Sequence, residues 1–125
     1  MRKCKRKDIP IVITNIPDYE SSGIYALVDD NGKMYIGSSI NIKRRLSSHR
    51  FHLSAVKRGW GSGFVNKKMM VAIQQGKIFN AKILEKVSDI SLLWDREKYY
   101  IEKMGGIQNL YNECCIPRKF MAKRK

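Results

Sequence analysis

Two runs of β-forming residues on either side of a tight-turn signal constrain this chain more than anything else in it. Gly23-Ile24-Tyr25-Ala26-Leu27-Val28 and Lys33-Met34-Tyr35-Ile36-Gly37-Ser38 flank Asp29-Asp30-Asn31-Gly32. Asn-Gly accepts the positive φ that a two-strand turn demands. The spacing therefore predicts an antiparallel hairpin with one tyrosine on each strand.

The rest of the chain must cover that hairpin. Ser39 or Asn41 can cap a helix running to about Lys57, in which Ile42, Leu46, His49, Leu53 and Val56 recur at helical spacing. A loop of Gly59, Trp60, Gly61 and Gly63 follows. Asn66 can start a second helix, Lys67 to Gln75, stopped by Gly76. Phe79 to Glu85 reads as a third strand. Ser88 or Asp89 can cap a third helix with Leu92, Leu93, Tyr100, Ile101 and Met104 on its inner face, ended by Gly105-Gly106. The expected fold is mixed α/β (α+β): a small, three-stranded, mainly antiparallel sheet flanked by helices, in the order β-β-α-α-β-α. A chain of 125 residues holds one such domain. We place it at residues 21–112, with a basic extended arm at 1–20 and a basic tail at 113–125.

Charge narrows the partners. There are 25 Lys and Arg against 11 Asp and Glu, a formal net charge of +14. That excess implies a polyanion. It is concentrated in Arg2, Lys3, Lys5, Arg6 and Lys7 at one end and in Arg118, Lys119, Lys123, Arg124 and Lys125 at the other. Solvated tails are the plain alternative. No amphipathic helix or lipidation motif accompanies the basic runs, so nucleic acid is preferred over a membrane surface. No apolar run approaches the roughly 20 residues that span a bilayer, and no signal peptide is read. Cys4, Cys114 and Cys115 form no metal-binding or disulfide pattern and read as free thiols. The expected location is the cytoplasm, associated with the nucleoid when bound to DNA.

Gly23-Ile24-Tyr25 and Tyr35-Ile36-Gly37, with nine residues between them, resemble the two name-giving elements of the GIY-YIG nucleases. The rest of that family's pattern follows in order: Arg45 and His49 on the next helix, Glu97 on the late helix and Asn112 after it. The resemblance spans about residues 22 to 112. It implies an endonuclease that cuts DNA, duplex or branched, with one Mg²⁺ or Mn²⁺ in a single active site. It carries Tyr25, Tyr35, Arg45, His49 and Glu97 as catalytic residues, Glu97 as the metal ligand, and Gly37, Lys33 and Asn112 in support. Some homing members have a further histidine after the first helix. Here Arg58-Gly59-Trp60 stands, and either Arg58 substitutes or the position does not matter.

The residues themselves agree with that chemistry. Phosphodiester hydrolysis needs an activated water, positive charge on the phosphoryl oxygens and a route for protonating the leaving oxygen. Arg45 and His49, four apart, share a helix face, which His52 extends. Arg44 is also available, but Arg45 has the better spacing. One carboxylate suffices for Mg²⁺, which keeps several waters. Taken singly, each residue has a plainer reading: Tyr25 and Tyr35 as strand tyrosines, His49 as a core histidine, Glu97 as part of a charged surface run, Asn112 as a turn residue. We expect Tyr25 as the base, its phenolate favoured by Lys33, Arg45 and the metal, with Tyr35 positioning water or phosphate and His49 as a second base or proton donor. Lys43, Arg44, Arg58, Lys67, Lys68, Arg118 and Lys119 are expected to grip nucleic acid. The alternative function is a non-catalytic nucleic-acid-binding module that keeps the fold.

Overall fold

The computed structural model describes residues 11–59 and 66–112. Four strands form one sheet: Ile13–Thr14 (β1), Gly23–Val28 (β2), Met34–Ser39 (β3) and Phe79–Lys86 (β4). The spatial order is β1-β4-β2-β3. β2 pairs antiparallel with both β3 and β4, and β1 pairs parallel with β4. The expectation of three strands is therefore corrected to four. The extra strand is only two residues long, too short for alternation to reveal. Its neighbour Val12 is 1% exposed, and its carbonyl accepts from Phe79 N at 2.9 Å. Burying side chains such as Val12 and Phe79 contributes about 1.5–3 kcal/mol each. That draws part of the expected arm onto the core.

The helices are Ile42–Lys57 (α1), Lys67–Gln74 (α2) and Leu93–Lys103 (α3). Asn41 caps α1 by accepting from Arg44 N, and Asn66 caps α2 by accepting from Met69 N. Asp89 caps a 3-10 turn, Ile90–Leu92, which precedes α3. Leu92 lies in that turn and is exposed, not on the inner face of α3 as expected. The interior stripe is Leu93, Glu97 and Ile101, one residue per turn.

The hairpin register sorts the side chains between two cores. Tyr25 faces Gly37 and Leu27 faces Tyr35 across β2 and β3, and side chains alternate along a strand. Tyr25 and Leu27 pack with Ile42, Leu46, Leu53, Met69 and Phe79 on the α1 and α2 side, with Tyr35 against them. Ile24 and Ile36 pack with Leu93, Ile101 and Leu110 on the α3 side. β3 ends the sheet, but its outer edge is covered. Tyr111 N donates to Met34 O at 2.8 Å. The Asn112 side chain accepts from Ile36 N at 2.9 Å and donates to Ile36 O at 2.8 Å. One amide thus occupies both backbone groups of an edge residue, as a neighbouring strand does.

Candidate active site

Tyr25 lies at the centre of the first core, 1% exposed. Its hydroxyl is 2.8 Å from His49 Nε2. Its place depends on Gly37, the residue opposite it: a Cβ at 37 would stand 2.5 Å from Tyr25 Oη and 2.6 Å from Cζ. Gly23 is needed for another reason, since a Cβ there would meet Glu85 O at 2.5 Å. The glycine of each triplet is thus a packing requirement, the second because it seats the tyrosine of the first.

His49 projects from α1 between the two hairpin tyrosines. Its ring centroid is 5.7 Å from that of Tyr25 and 5.6 Å from that of Tyr35, edge-on in both cases. Burial, then the charge of Arg45, then that of His52, push its pKa down to about 3. The resting imidazole is neutral at pH 7, and Tyr25 donates to Nε2 when the proton sits on Nδ1. Burial, with Tyr35 adding to it, raises the Tyr25 hydroxyl above the usual tyrosine range, and the Arg45 guanidinium only partly offsets this. A standing phenolate, the form expected of Tyr25, does not fit that environment. Lys33 Nζ lies 4.7 Å above the Tyr111 ring. Arg45 is the cation at the hydroxyl. Burial works against its charge, yet Tyr25, Tyr35 and Glu97 together raise its pKa.

Glu97 approaches from the other core. Of the charged run Asp95-Arg96-Glu97-Lys98 it alone is buried, 6% exposed. The Ser38 hydroxyl donates to its Oε1. Ser38 was not singled out in the sequence. Its signal is alternation: two residues past Ile36, it shares the Ile36 face, whereas Tyr35 and Gly37 share the other. The site therefore straddles β3, with Tyr25, Tyr35, Arg45 and His49 on one side and Ser38 and Glu97 on the other. Glu97 remains close enough to bear on both Tyr25 and Arg45.

Residues 21–112 match the GIY-YIG catalytic domain family. The chain belongs to the GIY-YIG family. Its fold is accordingly of the nuclease type, and the ordered set of residues from Gly23 to Asn112 falls within the matched span. Comparison with curated proteins finds no match.

Within this GIY-YIG domain the remaining expected residues divide. Asn112 is a clamp on Ile36, not a turn residue. Lys68, expected at nucleic acid, donates instead to the carbonyls of Ile107, Leu110 and Asn112 at 3.1–3.3 Å, tying α2 to the segment that covers β3. Lys43 pairs with Asp18 at 2.9 Å and Glu20 at 3.6 Å. Arg44, Arg58 and Lys67 are exposed. Lys33, Lys67, Lys68, Val71 and Tyr111 help line an open cleft of about 550 Å³ between α2 and the hairpin turn. The basic runs at both ends, with Arg118 and Lys119, lie outside the described residues, as do the three cysteines.

No group of three or more His, Cys, Asp or Glu that could hold a metal exists among the described residues. The donor set at Glu97, one buried carboxylate oriented by a hydroxyl, fits a hard divalent ion that keeps most of its waters. No helix among the described residues is long and apolar enough to cross a membrane.

Proposed function

We propose that the protein is a divalent-cation-dependent endonuclease that hydrolyses DNA phosphodiester bonds. The observation that carries this reading is the 2.8 Å Tyr25–His49 hydrogen bond, set beside Arg45 and across β3 from a buried carboxylate. A phosphate-gripping module has no use for Glu97, which repels a polyanion unless a cation intervenes. That counts against the non-catalytic alternative.

Arg45 receives the scissile phosphate. The half-buried Tyr35 positions it or the attacking water. Mg²⁺ or Mn²⁺ held at Glu97 supplies further positive charge to the phosphoryl oxygens. Tyr25 acts as a relay: its oxygen takes a proton from the attacking water as its own proton passes to His49 Nε2. The water oxygen bonds to phosphorus, the bond to the leaving oxygen breaks, and that oxygen takes a proton from solvent. In the resting site His49 is a poor acceptor. The second cause of its depressed basicity is the Arg45 charge, which a bound phosphate neutralises. Substrate thus raises the basicity of the group that must accept the proton.

The plain test is incubation with supercoiled, linear, single-stranded and branched DNA, with Mg²⁺, with Mn²⁺ and in EDTA. Nicking or linearisation that requires the divalent ion is expected, and the arms of the experiment report the preferred DNA form. Binding without cleavage of any form under any metal returns the protein to the non-catalytic reading.

A further inference from the structure

Glu97 sits in the apolar stripe of α3 between Leu93 and Ile101. Helix packing fixes its Cα, but the side chain still has three rotatable bonds. A buried carboxylate also needs hydrogen-bond partners to remain in place. Ser38 donates to Glu97 Oε1 from β3, 59 residues away in sequence. It directly follows Gly37, whose missing Cβ seats Tyr25. Consecutive residues of one strand therefore fix the two halves of the site, Gly37 on the tyrosine side and Ser38 on the carboxylate side.

We infer that Ser38 is a positioning residue: its hydroxyl aims the Glu97 carboxylate at the cation that carboxylate would hold. The role given to Glu97 rests on the nuclease reading. The juxtaposition of Ser38 and Glu97 does not. Partners that orient a metal ligand typically affect affinity by about 10- to 100-fold when removed.

The test is Mn²⁺ binding by the full chain, followed through the spin-resonance signal of the free ion, with plasmid cleavage measured in parallel. Wild type is expected to bind Mn²⁺ in a manner that Glu97→Gln weakens. Ser38→Ala should bind about 10-fold or more weakly, with unchanged metal-free DNA affinity, and Ser38→Thr, which keeps the hydroxyl, should stay near wild type. Equal affinity of Ser38→Ala and wild type overturns the inference. So does Mn²⁺ binding indifferent to Glu97→Gln, because there is then no ligand to aim. If Ser38→Ala does not fold, the comparison passes to Ser38→Thr and Ser38→Cys: weaker binding by the thiol supports the inference, and equal binding overturns it. Absence of cleavage together with Mn²⁺ binding sensitive to Glu97 and Ser38 refutes the nuclease reading and leaves the positioning role standing.

Discussion

The two sides of β3 hold their polar groups in different ways. On the α1 side, Tyr25 and His49 are each other's partners within an aromatic cluster. Removing either takes a hydrogen-bond partner from the other. On the α3 side, a carboxylate stands in an aliphatic stripe and accepts from the Ser38 hydroxyl. The first arrangement couples stability to proton transfer. The second keeps its reactive group separable from the fold, because an isosteric amide can accept from Ser38 as well as a carboxylate can. A site built across an edge strand can thus tie one half of its chemistry to the core and leave the other half free of it.

The largest effect should come from the separable side. Glu97→Gln is expected to cut single-turnover cleavage by about 100- to 1000-fold, the usual cost of losing a principal electrostatic stabiliser, with little change in melting temperature. Tyr25→Phe should cost about 100-fold in rate and also about 1–3 kcal/mol in stability, since His49 Nε2 loses its donor. Equal stability losses for the two variants, measured by denaturant unfolding, would break the contrast between the sides.

Gly37→Ala sharpens it further, because it touches only the tyrosine side. The new Cβ would lie 2.5 Å from Tyr25 Oη, so the ring must move. Overpacking of that kind costs about 1–3 kcal/mol, and the displaced hydroxyl should bring cleavage down to the Tyr25→Phe level. A Gly37→Ala enzyme as fast and as stable as wild type means that the ring has room the geometry does not give it.

A further effect concerns pH. His49 titrates near 6.5 in the unfolded chain and is pushed down to about 3 in the fold, first by burial and then by Arg45. Between those values the unfolded chain binds the extra proton. The contribution to stability is therefore complete above pH 6.5 and is lost as pH falls towards 3, by an amount on the order of a few kcal/mol. His49→Gln should flatten that part of the stability profile. A wild-type profile that is already flat from pH 6.5 to 4 would mean that the imidazole is not desolvated as the structure has it.

Much of this was legible in the residues. Asn31-Gly32 and the paired triplets set the hairpin register, and Asn41, Asn66 and the spacing from Ile42 to Val56 placed two helices. What stayed hidden depended on partners distant in the chain. Ile13 and Thr14 become a strand only because β4 lies beside them. Tyr25 reads as a candidate phenolate until its burial and the neutrality of His49 are known. Lys68 looks like any surface lysine until the carbonyls of Ile107, Leu110 and Asn112 surround it. Ser38 had a readable signal, its face of β3, but no way of showing which carboxylate it meets. Glu97 had the better signal: it stands four residues from both Leu93 and Ile101, in the interior position of an otherwise apolar row.

Asn112 has a consequence for how the molecule is made. It closes the outer edge of β3 from 76 residues beyond Ile36. At ribosomal speeds of about 5–20 residues per second, the hairpin waits several seconds for that amide. During this interval β3 presents an unsatisfied edge, open to pairing with other nascent chains, and the segment bearing Glu97 has only just been synthesised. A polypeptide truncated before residue 112 would carry every proposed catalytic side chain and still lack the Asn112 amide that closes this edge.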